Sequence, residues 1–171
     1  MNHLEAITVV DNFFDEKELN ILVSNLNKIN FGHAQNTRGD KYGFGHSFKE
    51  NKESKWLFDK IKRNLFKDLN LKAISNECSF RLRHNSEKML PHQDGFSDYA
   101  FLAYLKGKEL MYNGTGFYND NENLDRYVGF KENRIIFYNS FIFHSDLQSL
   151  GESSPRYTLN IFYKKASEKQ N

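Results

Sequence analysis

The chain has 171 residues, a length that suits one compact domain, residues 1-171, with a core of its own. Its formal net charge of +2 is too small to argue for a nucleic-acid or membrane partner, and its single cysteine, Cys78, excludes an intrachain disulfide. Phenylalanine (16) and tyrosine (9) are abundant, so we expect an aromatic-rich core. The first residues lack a basic segment followed by a long apolar run, and no stretch approaches a membrane-spanning length. These features predict a cytoplasmic protein without a membrane partner.

Two helices are predicted in the first half of the chain. The segment Asp15 to Glu18 has the spacing of a capping box, in which an acidic N-cap is followed three residues later by a glutamate. Apolar residues then recur at three- and four-residue steps as far as Ile29, which is typical of a helix with one buried face. A second helix is predicted to begin at Ser54, with leucine or isoleucine at every fourth position from Leu57.

The segment between the helices, Phe31 to Phe48, is rich in glycine, asparagine and charged residues and has no sustained period. We expect a long loop here, with a strand near Tyr42 to Phe48. Long loops in compact domains are often functional, so one hypothesis is a lid over a substrate; an irregular surface connection is the other. The side chains of the candidate lid would be Arg38, Tyr42, Phe44 and His46.

The second half of the chain has the pattern of β-strands: short runs of β-branched and aromatic residues separated by clusters of Gly, Asn, Asp and Ser. The predicted strands are Cys78 to His84, Met89 to Gln93, Tyr99 to Leu105, Gly116 to Tyr118, Tyr127 to Phe130, Arg134 to Tyr138, Phe141 to His144 and Arg156 to Tyr163. Two helices followed by about eight strands predict an α+β fold. In this fold a helical part, about residues 1-75, packs against a jelly-roll (double-stranded β-helix) barrel, about residues 76-165. The polar tail after Lys164 is expected to fray.

The segment Leu90 to Gly95 places an imidazole, His92, and a carboxylate, Asp94, two residues apart. Alternate residues of a strand face the same side, so both side chains can point into a barrel. A second imidazole from a later strand would complete a face of two histidines and one carboxylate, which holds ferrous iron and leaves other positions open. His144, at the end of a predicted strand, is the best candidate. A His-x-Asp pair by itself is a weak signal, because it often occurs by chance.

The ordered set that follows the pair strengthens this interpretation. After the strand that ends in His144 come a polar turn and then Arg156, which opens the final aromatic strand. The planar guanidinium of arginine binds a carboxylate through two hydrogen bonds and stays charged when partly buried. Arg156, Thr158 and Asn160 share one face of this strand, so the polar set can line a cavity. The alternative is a surface salt bridge at Arg156.

These residues resemble the functional set of the iron(II)- and 2-oxoglutarate-dependent dioxygenases, and within them the prolyl 4-hydroxylase-like branch. The resemblance covers roughly Phe80 to Tyr163, about half of the chain. The run Arg156 to Tyr163 looks like the branch's Arg-Tyr strand that ends in two aromatic residues, and Ala103-Tyr104-Leu105 resembles its Tyr-Leu segment. The His-x-Asp pair, the distal histidine and the later arginine of that family correspond to His92, Asp94, His144 and Arg156.

The resemblance implies that the two histidines and Asp94 bind iron(II) and form the catalytic centre. It implies that Arg156, with Tyr104 and Thr158 nearby, binds the cosubstrate 2-oxoglutarate, that molecular oxygen is consumed, and that ascorbate is a candidate reductant. A core role for Tyr104, with its hydroxyl satisfied inside the protein, is the alternative.

Three features depart from the family pattern. His84 stands where many relatives have a tyrosine. Either His84 donates a hydrogen bond next to the metal ligands, or it is a core histidine whose ring nitrogens are satisfied. Asn160 stands where relatives often have threonine, and the turn between His144 and Arg156 is longer than usual.

The resemblance also bears on the substrate. Halogenating relatives lack the carboxylate, so Asp94 favours hydroxylation. DNA-repair relatives usually carry another arginine late in the final strand, where this chain has Phe162, so a nucleic-acid substrate is disfavoured. We expect a peptidyl or free amino-acid-like substrate. The rival function is a jelly-roll module that binds a metal or small ligand without turnover.

Overall fold

The computed structural model describes residues 7–35, 41–83, 90–120, 122–148 and 150–166. Within this part the chain forms two helices, a short 3-10 turn at Met111–Asn113, and ten strands in two antiparallel sheets. The helices are α1 (Glu16–Leu26) and α2 (Lys55–Leu65). The strands are β1 (Thr8–Val10), β2 (Gly32–Gln35), β3 (Lys41–Phe48), β4 (Leu71–Arg83), β5 (Tyr99–Lys106), β6 (Thr115–Tyr118), β7 (Leu124–Val128), β8 (Ile135–Asn139), β9 (Phe143–Asp146) and β10 (Arg156–Lys165).

The main sheet has seven strands in the order β1-β8-β5-β10-β4-β3-β2, and the small sheet has three in the order β7-β6-β9. The described chain is therefore mostly β, with two helices, as the sequence predicts. No helix in the described ranges has both the length and the apolar character needed to cross a membrane.

The capping box predicted at the start of α1 is confirmed. The Asp15 carboxylate accepts a hydrogen bond from the Glu18 amide at 2.9 Å, and the Glu18 carboxylate accepts one from the Asp15 amide at 2.9 Å. The predicted apolar face is buried, with Leu22 and Leu26 inside the core. The second helix begins one residue after Ser54, also as predicted, and buries Leu57 and Ile61.

The strand predicted near Tyr42 to Phe48 is confirmed as β3, but the loop predicted before it is wrong at Gly32–Gln35, which form β2. Strands β2 and β3 pair with each other, and β3 pairs with β4 from Phe44 to Phe48. The glycines in this segment masked the strand pattern, because strand pairing supplies the order that local propensity does not. Residues 36–40, which include Arg38 of the candidate lid, lie outside the described residues, as do the side chains of Tyr42 and Phe44. The lid therefore stays a prediction.

Two further boundaries differ from the prediction. Strand β4 begins at Leu71, so the helical part ends earlier than residue 75 and also contributes strands β1, β2 and β3 to the main sheet. The polar run before Cys78 concealed the first half of β4, whose pairing with β10 shifts register near Ile161. In place of the predicted strand Met89 to Gln93, His92 alone pairs within the described residues, as an isolated bridge. Pro91 has no amide hydrogen to extend that ladder, and Met89 lies outside the described residues.

The predicted strand from Phe141 lies two residues later. Asn139 closes a tight turn, in which its side-chain oxygen accepts a hydrogen bond from the Phe141 amide at 2.8 Å and its carbonyl accepts one from Ile142 at 3.1 Å. Phe141 is thus an exposed turn residue, and β9 runs from Phe143 to Asp146. Likewise, β7 ends at Val128 rather than at Phe130.

The two faces of the main sheet carry separate cores. One face packs against the helices, and this core includes Leu159 and Ile161 of β10, both fully buried. The other face meets the small sheet, and its cluster includes Tyr104, Phe117 and Tyr138. Strand alternation places successive β10 residues on opposite faces, so the polar side chains of β10 lie between the two sheets, as predicted.

Candidate active site

The two histidines of the predicted triad are brought together by backbone pairing. The His92 amide donates to the His144 carbonyl at 3.0 Å, and the His144 amide donates to the His92 carbonyl at 3.0 Å. Directly paired residues in antiparallel strands project to the same side of the sheet. The imidazole ring centroids lie 4.6 Å apart.

Asp94 is fixed by the turn that follows β8. Its amide donates to the Ser140 carbonyl at 2.9 Å. Ser97, which is fully buried, donates its amide to the Asp94 carbonyl at 3.0 Å and its hydroxyl to the Ser140 hydroxyl at 2.7 Å. The carboxylate is thereby held beside the two imidazoles.

The ligand atoms of His92, Asp94 and His144 all lie within 4.8 Å of one another. The Asp94 carboxylate is 3.1 Å from Nε2 of His144 and 3.7 Å from Nε2 of His92. Among the described residues, no other histidine, cysteine or carboxylate joins this group. The structure thus brings together the three residues that the sequence singles out as metal ligands.

The orientation of both imidazoles is set by backbone carbonyls. Nδ1 of His92 lies 3.1 Å from the Leu90 carbonyl oxygen, and Nδ1 of His144 lies 2.9 Å from that of Ile142. A carbonyl only accepts, so each Nδ1 carries the proton and each Nε2 presents its lone pair toward Asp94. Such outer hydrogen bonds are what orient histidine ligands in metal sites.

Burial and charge keep the first histidine neutral. Burial, and secondly the nearby His144, lower the pKa of His92 below its ordinary value, which favours the neutral imidazole that binds metals. The His92 side chain is 36% exposed and that of His144 is 8% exposed. The site is therefore open to solvent on the His92 side.

Aromatic rings form the inner wall of the site. The ring of Tyr138 meets that of His144 edge-on, at 4.9 Å between centroids, and Phe117 packs edge-on against Tyr138 at 5.1 Å. Burial, and secondly the charge of Asp94, raise the pKa of the Tyr138 hydroxyl well above its ordinary value. Tyr138 is a feature of the site that motif matching missed, since a tyrosine in an aromatic strand reads as core.

Arg156 is buried between the sheets, with 2% of its surface exposed. Its Nη1 donates to the carbonyl oxygens of Asn113 and Gly114, and its guanidinium carbon lies 5.5 Å from the ring centroid of Tyr104. In the described ranges, Nε has no hydrogen-bond partner and no carboxylate lies within ion-pair distance of the guanidinium. The edge formed by Nε and Nη2 is the one left for a ligand. The surface salt bridge considered as an alternative for Arg156 is therefore absent from the described part of the chain.

Asn113, which the sequence analysis missed, positions the backbone carbonyls that accept hydrogen bonds from Arg156. Its side chain donates to the Lys108 carbonyl at 2.8 Å and to the Ser154 hydroxyl at 2.9 Å, and its oxygen accepts from the Ser154 amide at 3.0 Å. Gln148 adds a 2.6 Å bond to the Ser154 carbonyl. The long turn before Arg156 is thus tied to the 3-10 turn whose carbonyls hold the guanidinium.

Tyr104 and Thr158, the other predicted cosubstrate residues, lie opposite each other in the β5–β10 register. The Tyr104 hydroxyl is 2.7 Å from the Thr115 hydroxyl and 3.3 Å from the Val128 carbonyl, and burial raises its pKa. Thr158 is buried and donates to the side-chain oxygen of Asn160 at 2.8 Å. Both face the space between the sheets, and their role in cosubstrate binding stays a prediction.

A buried carboxylate, Asp146, lies on the same face of β9 as His144. Its side chain is 4% exposed, Nε of Arg83 lies 3.7 Å away, and neither carboxylate oxygen accepts a hydrogen bond from a described residue. Arg83 is paired in register with Arg156. The sequence signal for this residue was available, because His144-Ser145-Asp146 repeats the His-x-Asp spacing of the first pair. His84, in contrast, lies outside the described residues.

No family model matches this chain, and no curated protein matches its sequence. Among solved structures, it is similar to a prolyl hydroxylase from Trichoplax adhaerens in complex with a peptide fragment of hypoxia inducible factor. The identity is 16%, the TM-score is 0.68, and the match covers 94% of this chain and 84% of that one.

Two further structures extend the likeness. A prolyl-4-hydroxylase from Pseudomonas putida gives 12% identity and a TM-score of 0.65, with 94% of each chain covered. HygX from Streptomyces hygroscopicus, with nickel and 2-oxoglutarate bound, gives 11% identity and a TM-score of 0.66 over 95% of this chain and 84% of that one. The fold of this chain is therefore the fold of prolyl hydroxylases and other 2-oxoglutarate/iron(II) oxygenases.

Proposed function

We propose that this chain is an iron(II)- and 2-oxoglutarate-dependent dioxygenase in which His92, Asp94 and His144 bind the metal. The observation that carries the proposal is the convergence of these three ligand atoms within 4.8 Å, between two sheets whose fold is that of such enzymes. Two imidazoles and one carboxylate on one side of a metal leave the opposite positions for cosubstrates. The two sheets would then form the walls of a double-stranded β-helix.

Arg156 is the proposed anchor for the distal carboxylate of 2-oxoglutarate. Its Nη1 is taken up by two carbonyls, so the guanidinium is fixed while its Nε–Nη2 edge is available. A carboxylate there would form two parallel charge-assisted hydrogen bonds and neutralise a buried cation. Tyr104 packs against the guanidinium and Thr158 lies two residues along the same face, so both are proposed to line the cosubstrate cavity.

Bound iron would supply the oxidising chemistry, coupling oxidative decarboxylation of 2-oxoglutarate by molecular oxygen to hydroxylation of a substrate carbon. The protein's own residues supply placement. His92 and His144 present oriented Nε2 atoms, Arg156 sets the direction of the cosubstrate, and the aromatic wall keeps water from that side. The solvent-open side at His92 is the proposed entrance for the substrate.

The substrate class is proposed to be a peptidyl or free amino-acid-like compound. Support comes from the fold shared with prolyl hydroxylases, one of them described with a peptide fragment. Asp94 supports hydroxylation, because the metal would keep its carboxylate ligand.

Metal binding tests the first step. Isothermal titration with manganese(II), an oxygen-inert proxy, should show one site, and His92→Ala and His144→Ala should weaken it by at least about tenfold. His46→Ala, a substitution of an exposed histidine on β3, is the matched control and should bind like the parent. Parental affinity in both triad variants would refute the assignment.

Turnover distinguishes the enzyme from a binding module. Anaerobically iron-loaded protein, exposed to oxygen with 2-oxoglutarate, should release succinate, and amino acids or proline-containing peptides should stimulate the release. Tight binding of metal and 2-oxoglutarate without succinate under any substrate would instead identify a binding module.

A further inference from the structure

Tyr138 lies in the candidate active site with 2% of the residue exposed. No described residue forms a hydrogen bond with its hydroxyl, yet this hydroxyl is not one of the fully buried unpartnered atoms, as the Tyr163 hydroxyl is. The hydroxyl therefore borders open space, where water or a ligand can satisfy it. It is a polar group available to a bound molecule.

The position of Tyr138 on its strand directs it into the site. It lies on β8 opposite Ala100 of β5, and both belong to the core cluster between the two sheets. Its ring packs edge-on against the imidazole of His144, 4.9 Å between centroids. Tyr104 belongs to the same cluster, and its ring centroid lies 5.5 Å from the guanidinium carbon of Arg156, so Tyr138 is on the side of the main sheet that holds both His144 and Arg156.

A second buried tyrosine, Tyr163, lies in a different core from Tyr138. Tyr163 is also 2% exposed and its hydroxyl is likewise without a partner in the described part of the chain. However, Tyr163 belongs to the core on the helix side of the main sheet, where it packs against Phe66 at 4.9 Å. Only Tyr138 of this pair faces the space where a cosubstrate would lie.

We propose that Tyr138 is a cosubstrate-binding residue whose hydroxyl donates a hydrogen bond to the 1-carboxylate of a 2-oxo acid. This rests on the proposed function. The ring of Tyr138 lies beside His144 of the triad, whereas Arg156 lies against Tyr104. An oxo acid that spans the two has its 1-carboxylate at the triad end. The hydroxyl is a donor suited to an anionic oxygen, and it recognises the oxo-acid head rather than its length.

Two ligands distinguish the contribution of Tyr138 to binding from that of Arg156. Both 2-oxoglutarate and 2-oxobutyrate carry the 2-oxo acid head, and only the first carries a distal carboxylate. With manganese(II)-loaded protein, Tyr138→Phe should weaken both ligands by the same factor, about 10- to 100-fold, the loss expected for a hydrogen bond to a charged group. Arg156→Gln should weaken 2-oxoglutarate far more than 2-oxobutyrate. Tyr163→Phe, the matched control, should leave both affinities unchanged.

Two readouts exclude a merely structural effect. Removal of an unpartnered hydroxyl should leave the melting temperature of the metal-free protein unchanged or raised, and should leave manganese affinity without oxo acid unchanged. The charge-transfer absorption of the anaerobic iron(II)–2-oxoglutarate complex should shift in Tyr138→Phe and not in Tyr163→Phe.

The failure of this inference is distinguishable from that of the proposed function. If the parent binds 2-oxoglutarate in a metal-dependent manner and Tyr138→Phe binds it equally well, the inference alone is overturned. Weaker manganese binding by Tyr138→Phe in the absence of oxo acid also overturns it, because the hydroxyl would then act on the metal ligands. If the parent shows no metal-dependent binding of 2-oxoglutarate, the proposed function fails first.

Discussion

At the scale of single residues, Arg156 combines a permanent charge with almost complete burial. Its two carbonyl partners and the ring of Tyr104 compensate part of the desolvation, but no described carboxylate pairs with it. A buried cation in this state is stabilised by any anion that reaches its open edge. Arg156 should therefore contribute more to ligand affinity than to the stability of the free protein.

The first prediction is that Arg156→Ala weakens 2-oxoglutarate binding by roughly two to three orders of magnitude, the loss expected when a buried charge pair loses one partner. Arg156→Lys should recover only part of the affinity, because lysine keeps the charge without the planar pair of donors. Calorimetric titration with manganese(II) present measures both, and manganese affinity should stay parental. The exposed Arg126 provides the control, Arg126→Ala. Near-parental binding by Arg156→Ala would remove this residue from the site.

A second prediction concerns Cys78, whose pKa burial raises to about 12. The unfolded thiol, with the ordinary value of 9.0, loses its proton at lower pH than the folded one. The folded state therefore binds more protons above about pH 9, and stability falls with rising pH by up to about 1.4 kcal/mol per pH unit. Urea unfolding of the parent and of Cys78→Ala between about pH 8 and 10 checks this, because the buried tyrosines, whose pKa is also raised, contribute to both proteins alike and cancel in the comparison. Identical slopes for the two proteins would contradict it.

At the scale of elements, the two helices begin in different ways. The N-cap side chain of α1, Asp15, accepts a hydrogen bond from a helix amide, whereas Ser54 before α2 bonds to Lys49 and Asn51 instead. The start of α1 is thus stabilised by a capping hydrogen bond, whereas α2 is stabilised by its packing against the core.

The third prediction follows from this difference. Asp15→Ala removes an N-cap and half of the capping box, so it should lower the free energy of unfolding by about 1 kcal/mol, within a range of about 0.5 to 2. Asp15→Asn retains an acceptor and should cost less. Urea denaturation at neutral pH compares the two variants. An equal loss in both would show that the charge rather than the hydrogen bond matters.

Local patterns were sufficient for the helices and for the central strands. The Leu22–Leu26 face of α1 and the alternation of Leu159 and Ile161 with polar residues in β10 are visible in the sequence because one element determines them. Strand β3 was expected near Tyr42 to Phe48, but its partner β2 was not visible, because the order of β2 comes from pairing with β3 rather than from a local period.

The same distinction applies to the site. Residue type and chain order identified the triad, although the strand expected around His92 is only an isolated bridge in the structure and a turn holds Asp94. The supports of the site were missed, because the carbonyls that hold Arg156 and the Ser140 carbonyl that fixes Asp94 are contacts between distant segments. Every residue has a backbone carbonyl, so the sequence does not show which carbonyls take part in the site.

At the scale of the whole molecule, the main sheet separates the helix-side core from the candidate active site. Its helix-side core contains the fully buried Ile61 and Leu159, while the triad and Arg156 lie on the other side. Substitutions in the helix-side core should therefore have little effect on ligand affinity at the candidate active site, as long as the sheet stays folded.

The fourth prediction tests this division. Ile61→Ala leaves a cavity under the helices and should lower the free energy of unfolding by about 2 to 5 kcal/mol. The affinities for manganese(II) and 2-oxoglutarate, measured well below the melting temperature, should remain within about twofold of parental. Phe117→Leu, on the site side, should weaken manganese binding through its contacts with Tyr138 and His144. A large loss of affinity in Ile61→Ala would show that the two cores are coupled.

The strand order of the main sheet has a consequence for biosynthesis. Strand β10 follows all other described strands in the chain, yet it lies at the centre of the sheet, between β5 and β4. During translation, the edges of β4 and β5 that pair with β10 therefore stay unpaired until the segment that ends at Lys165 has left the ribosome. Unpaired strand edges can form hydrogen bonds with other chains. Arg156 arrives with that same strand. A nascent chain that stops short of β10 would thus be prone to aggregation, and under the proposed function it would also lack the anchor for the oxo acid.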